Sequence, residues 1–105
     1  MDKDIIRFKD SDIRNGSCKQ GTLNASFRDI CDVLGYPDNV GGDKVQCEWN
    51  FYTKNGVVMS IYDYKDERNP FDIDVWSVGG FDKNRNDIID FMAKNFLSNV
   101  YVPAC

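Results

Sequence analysis

Phe27, Ile30, Cys31 and Leu34 stand at i, i+3, i+4 and i+7, an apolar stripe of helical period. Asn24 or Ser26 supplies a cap at its start. Gly35 suits the left-handed position that ends a helix, and Pro37 forbids its continuation. A second, broader stripe of Ile88, Ile89, Phe91, Met92, Phe96 and Leu97 predicts a helix over about 84–97, with Arg85, Asp87, Asp90 and Lys94 toward water.

Between the helices the period changes from 3.6 to 2. Residues 44–65 read as two strands joined at Lys54-Asn55-Gly56, with Gly56 supplying the positive φ of a three-residue hairpin loop. That loop pairs Thr53 with Val57, Phe51 with Met59, Trp49 with Ile61 and Cys47 with Asp63, an almost wholly apolar face. Glu48, Asn50, Tyr52, Val58, Ser60, Tyr62 and Tyr64 fall on the other face. A two-residue loop would set Glu48 against Asp63, a like-charge pair across the ladder, and would mix the two faces. Residues 72–78 alternate as a third strand, with Ile73 and Val75 on one face, Asp74 and Trp76 on the other, and Gly79-Gly80 as its break. Residues 5–8, 19–23 and 100–102 are short strand candidates. Two amphipathic helices need an apolar surface, and the Trp49 face provides one. The expectation is a single α+β domain over 1–105, in which two helices pack on one face of an antiparallel sheet. The sheet has a central three-stranded meander plus short edge strands.

Composition narrows the chemistry. The 105 residues include 42% apolar and 29% charged side chains, enough to fill one core and too ordered a mix for a disordered chain. The net charge of −4 disfavours non-specific nucleic-acid binding. The acidic set is fifteen Asp against two Glu, scattered among Lys and Arg, too dilute to mimic the phosphates of DNA. The absence of histidine removes any His-based triad or general base. Cys18, Cys31, Cys47 and Cys105 lack the paired spacing of a zinc site, and reduced thiols in an intracellular protein fit them. No apolar run approaches the ~20 residues of a membrane span, so the expected location is cytoplasmic.

Several motifs, taken together, resemble a protein family. These are Gln20-Gly21-Thr22-Leu23-Asn24-Ala25-Ser26-Phe27, Leu34-Gly35-Tyr36-Pro37, Lys44-Val45 followed by Glu48-Trp49, Asn55-Gly56, Ser60-Ile61-Tyr62-Asp63-Tyr64-Lys65 and Trp76-Ser77-Val78-Gly79-Gly80. The run from Gln20 to Gly80 is similar to a family of small bacteriophage and large DNA virus proteins with LGxP, KVxxEW, IYxxK and WxxGG motifs. Tyr64 stands where that pattern commonly has Trp, and Ser77 where it commonly has His. Any chemistry resting on that His is therefore missing here. The resemblance implies a viral accessory protein in the host cell cytoplasm, with a role against host defences.

Three constellations compete for function. Tyr52, Tyr62, Tyr64 and Trp76, with Glu48 and Asn50, would line the sheet face that the helices leave open. Lys65, Arg68 and Arg85 would approach from its rim. Rings with polar tips suit a host protein interface or a nucleotide-like ligand, and the plain alternative is cross-strand tyrosine pairing that only stabilises the sheet. Gly79-Gly80 ahead of a helix has the outline of a phosphate site, and Lys83 and Arg85 oppose the helix dipole there in a way a bound anion would explain. Glu48, Asp63, Asp72 and Asp74 are carboxylates that a metal-dependent phosphoesterase could use. An open face also favours self-assembly, most simply as a dimer, so a virion-associated structural protein is the rival reading. The preferred expectation is a non-enzymatic binding protein that needs no cofactor.

Overall fold

The computed structural model describes residues 5–7, 18–37, 39–40, 45–64, 72–96 and 101–103. Seven strands form one antiparallel sheet: β1 (Ile5–Arg7), β2 (Cys18–Asn24), β3 (Asn39–Val40), β4 (Val45–Thr53), β5 (Val58–Tyr64), β6 (Val75–Gly80) and β7 (Tyr101–Pro103). Six of them run in the order β1-β4-β5-β6-β2-β7, and the two-residue β3 also pairs with β4. Helices α1 (Phe27–Leu34) and α2 (Arg85–Asn95) complete an α+β fold.

The hairpin register follows from its loop. Phe51 pairs with Met59, Trp49 with Ile61 and Tyr52 with Val58. Gly56, at φ 82°, donates its N–H to the Thr53 carbonyl at 2.8 Å. The ladder then slips between Val45 and Glu48. A bulge denies one backbone group its ladder partner, and the Asp63 carboxylate accepts the Cys47 N–H at 2.7 Å. The two residues expected to face each other thus meet through a side chain.

Helix α1 begins and ends where its punctuation dictates. The Ser26 hydroxyl accepts the Asp29 N–H at 3.1 Å, and Gly35, at φ 84°, donates to the Cys31 carbonyl at 2.7 Å. Both helices cover the Trp49 side of the sheet. Phe27 of α1 touches the rings of Trp49 and Trp76, while Phe91 of α2 lies 5.3 Å from Phe51, centroid to centroid. Around them Leu23, Ile30, Leu34, Met59, Ile61, Val78, Ile88 and Met92 form the core.

Three expectations about the sheet are corrected. β2 is an interior strand between β6 and β7, not a short edge strand. The third meander strand begins at Val75, and Gly79 and Gly80 continue it instead of breaking it. Gly80 lies under α2, where an added Cβ would stand 2.5 Å from the Ile88 methyl. Because Ile73 precedes the strand, strand parity does not couple its burial to that of Val75. Trp76 turns inward, fully buried, and Val75 turns outward.

Candidate functional site

Strand alternation assembles the face opposite the helices in rows. Glu48 of β4, Tyr62 of β5, Ser77 of β6, Thr22 of β2 and Val102 of β7 follow one another across the sheet. Asn50, Ser60, Gly79 and Lys19 form the next row. Ile6, Tyr52 and Val58 form the third. Ser60 Oγ occupies the space a Gly79 side chain would need, and the Tyr62 ring lies alongside. The middle of the face is closed: Glu48, Asn50 and Ser60 are buried, and Tyr52 and Tyr62 are half-buried. Its margins carry Ile6, Val75 and Val102, which are 49%, 46% and 53% exposed.

Of the expected site residues, the structure brings Glu48, Tyr52 and Tyr62 together on this face. Tyr64 occupies a backbone position paired with Val45. Lys65 and Arg68 lie outside the described residues. Trp76 does not belong to the face. Its ring meets Trp49 edge-on at 5.3 Å, and its indole N–H donates to the Ala25 carbonyl at 2.9 Å, both on the core side. Arg85 is also misplaced by the expectation. It starts α2 on the helical side, where its charge acts on Asp82 and on the half-buried Tyr101. The charge of Arg85 acts on Asp82 in the turn after β6, and side chains and backbone fill the space over both glycines, which leaves no open cradle for a phosphate there.

The carboxylate reading falls on geometry as well. Asp63 shares the parity of Ile61 and is buried on the core side, whereas Glu48 faces away; Asp72 and Asp74 are exposed ahead of β6. Among the described residues no three His, Cys, Asp or Glu side chains gather in a way that could hold a metal ion. Cys47 is no nucleophile: burial, then the Asp63 charge, then Cys31, push its thiol up to about 11.

A polar cluster that the sequence reading did not single out lies at the far end of β6. Cys18 Sγ donates to Asp82 Oδ1 at 3.3 Å, and the buried Gln20 amide reaches both. Its assembly depends on the β2–β6 pairing, which no local pattern announces. Two clefts, of about 390 and 290 Å³, open on the helical side, the first beside Asp29, Asp32 and Lys94, the second between the hairpin loop and α2. No helix among the described residues is long and apolar enough to cross a membrane. Comparison of the chain with protein-family models, with curated proteins and with solved structures finds no match.

Proposed function

We propose that this protein is a non-enzymatic binding module whose helix-free sheet face docks another protein. One observation carries the reading. Among the described residues, three of the four exposed large apolar side chains, Ile6, Val75 and Val102, share the face that carries Tyr52 and Tyr62, and the fourth is Tyr36 in the turn after α1. Half-buried tyrosines ringed by exposed aliphatic groups supply the apolar contact area and polar tips of an interface. The nucleotide alternative loses its stacking tryptophan and the Arg85 cation to the other side of the sheet, and the two clefts described lie there too. The partner is a host protein or a second copy of the chain. The viral motif resemblance favours the former, in an accessory role.

A photo-crosslinking side chain at Val102 tests this against the same group at Tyr36, in cells producing the protein. Crosslinked adducts formed at Val102 and absent at Tyr36 support the reading. Adducts only at Tyr36, or equally at both, overturn it.

A further inference from the structure

We propose that Asn55, at the tip of the β4–β5 hairpin, is a covalent modification site. Its side-chain amide is lost through a cyclic imide formed with the Gly56 backbone nitrogen, and the tip becomes an aspartyl or isoaspartyl carboxylate. This site is independent of the sheet-face reading.

Among the described asparagines, Asn24, Asn39, Asn50, Asn84, Asn86 and Asn95 precede Ala25, Val40, Phe51, Arg85, Asp87 and Phe96, and Asn55 alone precedes a glycine. Ring closure between an asparagine side chain and the next backbone nitrogen is hindered by the Cβ of the following residue, and glycine has none. The surroundings of Gly56 are equally open: nothing lies within 4 Å of the place a Cβ would take. Lys54, Asn55 and Gly56 are all exposed. Asn84 and Asn95 spend their amides on Asp87 Oδ2 at 3.4 Å and the Phe91 carbonyl at 2.9 Å, and Asn50 is buried. Among the described residues Asn55 has no such tether.

One bond restrains the reaction. The attacking atom is the Gly56 nitrogen after it gives up its proton, and that N–H donates to the Thr53 carbonyl at 2.8 Å. The Thr53 N–H donates to the Val57 carbonyl at 3.0 Å and the Val57 N–H to Thr53 Oγ1 at 3.3 Å, which hold the base of the loop. The tip therefore opens without disturbing the ladder, and exposed turns open at little cost.

The steps balance. Hydroxide takes the Gly56 amide proton. The nitrogen anion attacks Asn55 Cγ, a C–N bond forms, and the Cγ–Nδ2 bond breaks. The departing nitrogen takes a proton from water and leaves as ammonia. Water then opens the imide. Opening at the side-chain carbonyl gives aspartate, and opening at the backbone carbonyl gives isoaspartate, whose main chain runs through an extra methylene. Nothing is oxidised or reduced. Both products add one negative charge to the cleft lined by Lys54 and Lys94 and by Asp87 and Asp90, whose charges otherwise balance. The isoaspartyl form also lengthens the loop that sets Tyr52 against Val58.

Peptide mapping by mass spectrometry, on folded full-length protein held at neutral and mildly alkaline pH, tests the site. A synthetic peptide of residues 51–59 is the reference, and an isoaspartyl-specific methyltransferase with S-adenosylmethionine labels the branched product. Asn55 should convert no more than about tenfold more slowly than the peptide, as an opening of about 1.4 kcal/mol or less requires. Conversion should quicken as pH rises and yield methyl-accepting product. Asn55→Gln, whose longer side chain closes a larger ring, should end it at this position, with circular dichroism verifying the fold. The other Asn-Gly pair, Asn15-Gly16, maps to a separate peptide. Conversion of Asn55 more than tenfold slower than the peptide, a rate indifferent to pH, or conversion falling chiefly on Asn24 or Asn86 overturns the proposal.

Discussion

Replacing Gly80 with alanine measures how closely α2 is seated on the sheet. An added Cβ would lie 2.5 Å from Ile88 Cδ1 and 3.1 Å from the Val58 carbonyl oxygen. Carbon atoms in contact sit about 3.5–4.0 Å apart, so the methyl intrudes by about 1 Å. Ile88 is fully buried and has no solvent into which to swing. Gly80 is not among the glycines with positive φ, so chain entropy alone would favour alanine by about 0.4–1 kcal/mol. Overpacking of this kind costs about 1–3 kcal/mol, which prevails. Net of the entropy gain the loss is about 0.6–2.6 kcal/mol; at about 4–8 °C per kcal/mol for a domain near this size, Tm should fall by about 2–20 °C. The companion change Ile88→Val removes the methyl in the way and alone costs about 0.5–1.5 kcal/mol. In the double variant the two losses should fall short of their sum by about 1 kcal/mol or more. Urea unfolding followed by tryptophan fluorescence gives all four corners of the cycle. Strictly additive losses, or a Gly80→Ala protein as stable as wild type, would refute the close seating of α2.

Two further outcomes are expected. Trp76→Phe should lower stability by about 1–3 kcal/mol in chemical denaturation, because it strands the Ala25 carbonyl and removes the edge-on contact with Trp49; an unchanged midpoint would return Trp76 to the solvent face. Cys47 keeps its proton in the folded chain up to about 11, above the 9.0 of an unperturbed thiol. The unfolded state therefore releases a proton first as pH rises, so this contribution is intact below 9.0, declines from there to about 11, and disappears from the Tm–pH profile of Cys47→Ala.

Local signals carried most of the fold. The α1 stripe, its Ser26 cap and Gly35 stop, and the hairpin loop all act between residues a few positions apart, and each is legible in the sequence. Pairings between distant segments were not. β2 joins β6 across more than fifty residues and becomes interior, although its own sequence reads as a short loop-flanked strand. The inward turn of Trp76 is hidden from its local sequence for a related reason: alternation through 72–78 has two phases, and only the true start at Val75 decides which one faces the helices. On the candidate face, the residues within the hairpin were placed correctly together because one register governs Glu48, Tyr52 and Tyr62. Arg85 failed because helix residues carry no sheet parity. The Gln20 cluster stayed hidden because a bulge, invisible to period-2 reasoning, aims its side chain.

The two indoles offer a last consequence. Trp76 donates to the Ala25 carbonyl just before α1, and Trp49 donates to the Gly35 carbonyl just after it, while their rings stand 5.3 Å apart at 76°. A helix of eight residues is too short to persist alone, and the two ring nitrogens tie its ends to the core that Ile30 and Leu34 enter. Two chromophores this near and this steeply inclined couple their excited states and give a split circular-dichroism signal. The molecule therefore carries its own optical gauge of whether that helix is latched, readable without any added dye.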